Sequence, residues 1–204
     1  LPILCQNDGT LMSLTYAKQF PILTIACGPT NSIRGASYLA GLKDAVVLDV
    51  GGTTSDIGVL VDGFPRESSL AVDVGGVRTN FRMPDIVSIG VGGGSLVREQ
   101  PDGSVTVGPD SVGYRITQEA LVFGGTQLTT TDIAVRLGHA QVGDPSKVAH
   151  LDQTFAEKVY QKISELVSEA IDRMKTSSAD VTVVLVGGGS IIIPEELTGV
   201  KAQI

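Results

Sequence analysis

Two aspartates, Asp49 and Asp56, bracket the run Gly51-Gly52-Thr53-Thr54-Ser55. The glycines permit positive φ and leave room beside the backbone, so successive N–H groups can converge on an anion. The Thr and Ser hydroxyls add donors at the same place. The carboxylates repel a phosphate unless a cation lies between them. A hydrated magnesium ion, which keeps several waters and needs only one or two carboxylates, supplies that charge. The centre therefore asks for a metal nucleotide, with Asp49 as the metal ligand. A plain hairpin with a Gly-Gly turn and a polar tip would account for the same residues. The run is not a Walker A loop, because no Gly-Lys-Ser/Thr follows. Nor is it a dinucleotide fingerprint, because no helix opens behind the glycines.

Elements of definite kinds must hold this centre in place. Val46, Val47, Leu48 and Val50 precede it and Ile57, Val59, Leu60 and Val61 follow it, which predicts a hairpin of two strands. A strand over Asp85 to Val91 runs into Gly92-Gly93-Gly94-Ser95. Three consecutive glycines cost backbone entropy, so they mark a close backbone approach or a tight turn. A second glycine triplet, Gly187-Gly188-Gly189, follows the buried strand Val181 to Val186. Phe155, Val159, Ile163, Leu166, Val167, Ala170, Ile171 and Met174 recur at spacings of three and four, which predicts an amphipathic helix over Leu151 to Met174. Leu96-Val97 pairs with Val105-Thr106-Val107 through the turn Pro101-Asp102-Gly103. Phe64 to Asp73 reads as an irregular edge ending in a strand, and Gly75-Gly76 as a break.

Towards the start, a strand over Leu1 to Cys5 leads to the turn Gln6 to Gly9, then to a helix within Leu11 to Phe20 with Ser13 as cap and Pro21 as stop. Ile22 to Ala26 reads as a strand, Cys27 to Asn31 as a loop and Ile33 to Leu39 as a helix capped by Ser32, whose N-terminus can serve as an anion site. Thr131 or Asp132 caps a helix over Ile133 to Leu137. Arg78 and Arg82 can reach a phosphate, although solvation explains both more simply. His139 and His150 lack the spacing of a metal pair, and Cys5 and Cys27 read as free thiols of a reduced, cytoplasmic setting. At 204 residues and 42% apolar the chain can close a full core. Its net charge of -7 argues against a nucleic-acid groove, and no apolar run reaches a membrane span. The first residue is Leu, so a piece of a longer chain is expected.

Asp49-x-Gly51-Gly52-Thr53-Thr54-x-Asp56 resembles a phosphate motif of the actin, hexokinase and Hsp70 ATPase superfamily. Within it, the hydantoinase A and 5-oxoprolinase group is the better match. Four further segments agree in order: Gln6-Asn7-Asp8-Gly9-Thr10, Cys27-Gly28-Pro29 through Arg34-Gly35-Ala36, Ser88-Ile89-Gly90 through Gly92-Gly93-Gly94-Ser95, and Thr129-Thr130-Thr131-Asp132. The resemblance implies an α/β fold of ribonuclease-H-like type, a mixed sheet flanked by helices. It makes residues 1–204 one ATPase-type lobe, with 1–45 as a lead-in and interlobe helix and 46–204 running from phosphate hairpin to adenosine segment. It implies ATP and Mg2+ as cofactors and ATP-dependent opening of a small cyclic amide, a hydantoin or 5-oxoproline. Asp49 and Asp56 would be the metal and water residues, and Gly51, Gly52, Thr53 and Thr54 the phosphate donors. Gly92, Gly93 and Gly94 would line the cleft, and Gly187, Gly188 and Gly189 would carry the adenosine. The remaining lobe of the same chain and a hydantoinase B-type subunit are the implied partners. Gly108-Pro109-Asp110 to Gly113 resembles a segment where many relatives carry a longer acidic, proline-rich loop; Tyr114-Arg115-Ile116-Thr117 stands there instead. A sugar or acyl kinase of the same superfamily, with Asp56 as base, or a non-enzymatic nucleotide-binding subunit would share the phosphate and adenosine segments.

Overall fold

The structure, a computed structural model, describes residues 2–68, 72–79 and 83–203. In chain order these form β1 (Ile3–Cys5), β2 (Leu11–Ser13), α1 (Leu14–Gln19), a 3-10 turn (Pro21–Thr24) and α2 (Cys27–Ala40). Then come β3 (Ala45–Val50), β4 (Ser55–Val61), β5 (Phe64–Pro65), β6 (Val72–Val74), β7 (Val77–Thr79), β8 (Ile86–Ile89), β9 (Ser95–Glu99) and β10 (Val105–Ser111). The chain continues through α3 (Ile116–Glu119), α4 (Thr130–Arg136), α5 (Gln153–Met174), β11 (Val181–Val186) and β12 (Val200–Gln203).

The apolar runs around the glycine centre do form a hairpin. β3 and β4 pair antiparallel from Ala45↔Leu60 to Val50↔Ser55. β11 lies parallel to β3 on its other side, and β12 parallel to β11. The far edge of β4 is shared, with β8 pairing along Ser55–Gly58 and β5 along Leu60 and Val61. A mixed sheet results, and its strand alternation assigns the two faces. Val46, Leu48, Val50 and Ile57 face α5, where Val159, Ile163, Val167, Ala170, Ile171 and Met174 are buried. Burying such side chains stabilises by about 1.5–3 kcal/mol each before entropy is counted. Asp152 caps α5 by accepting from the Phe155 N–H at 2.8 Å. Ala45, Val47 and Leu60 face the other way, against Ile33 and Ala36 of α2. Gly58 lies under α2, and a Cβ there would drive into Ile33 Cδ1. This mixed sheet flanked by helices is the ribonuclease-H-like architecture expected.

The start of the chain departs from expectation. Leu11–Ser13 is a strand paired with β1, and the helix begins only at Leu14, although Ser13 does cap it through the Tyr16 N–H. Ile22–Ala26 is not a strand. Pro21 opens a 3-10 turn instead, because its fixed φ suits a first helical position and its missing N–H is not needed there. α2 begins at Cys27 rather than Ile33, so the expected loop Cys27–Asn31 is its first turns. Pro29 is tolerated in the first turn for the same reason. The anion site expected at that loop is therefore absent as a loop, and the Thr30 hydroxyl is used by the carbonyls of Asn7 and Ala26. β10 continues through Gly108-Pro109-Asp110 to Ser111, shifting register against β9 between Val107 and Ser111. Arg82 lies outside the described residues, and Arg78 is exposed on β7.

Candidate functional site

Asp49 and Asp56 are direct cross-strand partners next to the turn of the hairpin. Their parity puts them on one face, and the same row extends to Ser88 of β8 and Val186 of β11. The Ser88 hydroxyl donates to Asp56 Oδ1 at 2.5 Å. Among the described residues neither aspartate has an ion-pair partner. Like charges facing each other across a strand pair are destabilising. This carboxylate pair thus fits a cation, and no folding role accounts for it.

Beyond the aspartates the chain turns through Gly51–Thr54, closed by Gly51 N–H donating to Thr54 O at 2.9 Å. Gly52, Thr53 and Thr54 are exposed. Among the described residues, the N–H groups of these three and the hydroxyls of Thr53 and Thr54 donate to no protein acceptor. A cluster of unused donors next to two carboxylates suits a phosphate chain held through a magnesium ion.

The two glycine triplets meet this tip. Gly93 N–H donates to Gly51 O at 3.0 Å and Gly94 N–H to Gly52 O at 2.7 Å, so Gly92–Gly94 lies against the turn backbone to backbone. A Cβ at Gly92 would stand 2.6 Å from Thr53 N and 2.8 Å from Gly51 O, which no side chain tolerates. On the other flank Gly189 N–H donates to Val50 O at 2.8 Å. Gly187, at φ 92, lies so near the hairpin that a Cβ would come within 2.5 Å of Asp49 Oδ1. Gly188 has nothing within 4 Å of its Cβ position and is exposed beside them. All the expected site residues thus converge on one end of the sheet.

Several supports were not anticipated. Thr130 and Thr131 hydroxyls donate to Gly92 O at 2.5 Å and Gly93 O at 2.7 Å, clamping the triplet onto α4. The cap of α4 is Thr129, not Thr131 or Asp132. Thr129 and Asp132 form a reciprocal capping box, which the pattern Thr-x-x-Asp signals. Fully buried Asp132 also accepts from Val122 N–H at 2.7 Å, tying α4 to the preceding 3-10 turn. Ser111 Oγ donates to Gly52 O at 3.3 Å, and Val112 N–H to Gly94 O at 3.0 Å. The remaining candidates stay outside. His139 stacks on Tyr160 at 4.6 Å, His150 is exposed, and burial followed by the neighbouring Cys27 pushes the Cys5 thiol up. A hollow of about 270 Å³ at the opposite end of the sheet is lined in part by Arg66. That guanidinium is committed to Asp85 and to Met174 O, whereas the donors of the tip are free.

The hydantoinase/oxoprolinase family model matches residues 3–144. The acetophenone carboxylase gamma subunit of Aromatoleum aromaticum is 30% identical over 153 residues, 70% of this chain and 21% of its own length. A nucleotide-free structure of acetone carboxylase, from work on ATP-dependent acetone carboxylation, superposes with a TM-score of 0.73 at 22% identity, over 98% of this chain and 32% of that one. An ATP-dependent caprolactamase from Pseudomonas jessenii superposes with a TM-score of 0.60 at 19% identity, over 84% of this chain and 31% of that one. The chain spans about a quarter of the length of the curated relatives it matches. With its model matched over most of the chain, the chain belongs to the hydantoinase/oxoprolinase family.

Proposed function

We propose that the parent protein is an ATP-dependent enzyme that opens a cyclic amide of the hydantoin or 5-oxoproline type, and that this chain is one ATPase-type lobe supplying part of its nucleotide site. The observation that carries the reading is the pairing of unused donors at Gly52, Thr53 and Thr54 with the carboxylates Asp49 and Asp56, which have no cationic partner among the described residues. An unstrained amide is a poor electrophile, and ATP, if bound with magnesium, would supply a phosphoryl group to the amide oxygen with ADP as the leaving group, so that water can add at the amide carbon, the ring C–N bond break with the nitrogen taking a proton, and a second water release the phosphate. This chain's residues do the positioning. Asp49 would hold the metal, and Asp56, oriented by Ser88, would hold water beside it. The tip N–H and hydroxyl groups would bind and orient phosphate oxygens as preorganised donors. Gly187–Gly189 would let the nucleoside lie on bare backbone, with Gly188 open for it.

The test is phosphate release by the full-length protein with Mg2+ and ATP, with and without hydantoin or 5-oxoproline. Release stimulated by either substrate supports the reading; release stimulated by neither refutes it. The identity to an acetophenone carboxylase subunit favours a second reading, in which a ketone oxygen takes the place of the amide oxygen. Release stimulated only by a ketone with bicarbonate would select it. A cytoplasmic setting and a B-type partner subunit belong to the same proposal. No helix of the described residues is long and apolar enough to cross a membrane.

A further inference from the structure

The tip of the hairpin has two distinguishable ends. Gly187 and Gly189 lie against Val50 and Asp49 at one end. At the other end, the Cβ position of Gly113 is 3.7 Å from Thr53 Oγ1. A nucleoside resting on Gly187–Gly189 would send its phosphates along Gly51–Thr54. The terminal phosphate, and hence the group that receives it, would then lie next to the segment Ser111–Arg115.

That segment is a rigid pedestal. Ser111 Oγ donates to Gly52 O, and Gly113 N–H donates to Ser111 Oγ at 3.0 Å. Val112 is buried and bonded to Gly94 O, and Arg115 N–H donates to Val112 O at 3.1 Å. Gly113 takes φ 55, the left-handed conformation the sharp turn requires. The pedestal carries Tyr114, which is 90% exposed and has only the neighbouring Arg115 guanidinium over one face of its ring. Consecutive Cα atoms are about 3.8 Å apart, so the Tyr114 Cα lies within roughly 9 Å of the Thr53 hydroxyl, a span that a tyrosine ring and a small cyclic amide together can fill. The Arg115 guanidinium, paired with Glu119, stands 5.9 Å from the ring centroid. A fixed backbone presenting an uncovered aromatic face beside a cation is a preorganised platform for a planar, oxygen-rich ring.

We propose that Tyr114 is a substrate-specificity residue whose ring stacks on the planar cyclic amide at the terminal-phosphate end of the site. The inference rests on the ATP-dependent cyclic-amide reading and adds to it which residue the substrate meets. In the full-length protein, Tyr114→Ala raises the KM for hydantoin at least tenfold and changes the Kd of a non-hydrolysable ATP analogue less than twofold. Tyr114→Phe, which keeps the ring, stays within twofold of the wild type in both. Puckered ε-caprolactam, where it turns over, loses less than planar hydantoin on Tyr114→Ala. An unchanged KM in Tyr114→Ala, or a parallel fall in nucleotide affinity, overturns the inference while leaving the functional reading intact. A wild type that binds the analogue but turns over none of hydantoin, 5-oxoproline and ε-caprolactam overturns the functional reading, and this inference with it. Matching melting curves for the three proteins are expected, because Tyr114 buries almost no surface against residues 1–204.

Discussion

The carboxylate pair Asp49 and Asp56 gives the site a thermodynamic signature that can be measured apart from turnover. Directly opposed residues on one face of an antiparallel pair have Cβ atoms about 4.5–5.5 Å apart. Two unit charges about 5 Å apart repel by roughly 1–3 kcal/mol for effective dielectrics between water and a protein surface. Both residues are partly exposed, so water screens the pair and the lower end applies. Asp49→Asn removes the repulsion and keeps the size of the side chain. It is therefore expected to stabilise the metal-free protein by about 1 kcal/mol, or about 2–4 °C in melting temperature for a chain of this length. The gain should shrink in about 1 M salt, where the Debye length is about 3 Å. With magnesium and ATP in the full-length protein the order should invert. The wild type gains about 2.7 kcal/mol at a ligand concentration of a hundred times Kd, and the variant gains almost nothing. Urea denaturation with and without magnesium ATP reads both arms. A variant less stable than the wild type without metal, or equally stabilised by magnesium ATP, would refute the argument that this pair is held for a cation.

Gly188→Val should weaken nucleotide binding at little cost to stability, since its Cβ position is open, whereas Gly189→Ala should destabilise, since a Cβ there would stand 2.8 Å from Val50 Cγ1 and closer still to Gly51 O; calorimetry and melting on each separate the two. Asp132→Ala orphans the buried N–H groups of Val122 and Thr129, at about 1–3 kcal/mol each, and should lower unfolding free energy by about 3–5 kcal/mol in urea, with a smaller loss for Asp132→Asn. Residues 1–204 alone should fold yet bind magnesium ATP only weakly and hydrolyse nothing. One phosphate hairpin supplies only part of the donors, and each hydrogen bond to a charged group contributes about 1.5–3 kcal/mol. Micromolar binding by calorimetry, or turnover of 5-oxoproline by this chain alone, would show a complete cleft.

The sheet centre and the long helix were legible because their apolar periods have one reading. Val46–Val50 and Ile57–Val61 are short runs rich in β-branched residues on either side of a Gly-Gly turn, and the α5 positions repeat at three and four over six turns. Residues 21–31 were misread for a local reason. Ile22, Leu23, Thr24 and Ile25 carry strand-forming side chains, but Pro21 presets a helical start and Pro29 can sit in a first helical turn. The convergence of the glycine segments could be expected only through the family resemblance. Hydroxyl-to-carbonyl clamps such as Thr130 on Gly92 join residues 38 positions apart, and no local pattern encodes them. The Thr129–Asp132 capping box is legible as Thr-x-x-Asp, which puts the cap two or three residues before Thr131 and Asp132.

The glycines around the tip are of two kinds, and the difference says what the site is for. At Gly92, Gly94 and Gly189 the missing side chain makes room for another loop's backbone, with Thr53 N, Gly52 O and Gly51 O as the nearest neighbours. These glycines let three segments distant in sequence pack main chain to main chain, which fixes the turn without placing a side chain in front of it. At Gly52 and Gly188 the missing side chain makes room for nothing in the protein, because no atom lies within 4 Å of either Cβ position. Glycine at an exposed position with ordinary φ loses conformational entropy on folding and gains no packing. Both positions lie beside the unused donors and the paired carboxylates, and under the proposed function the space they keep clear would take a ligand running from Gly188 past Asp49 to Thr53.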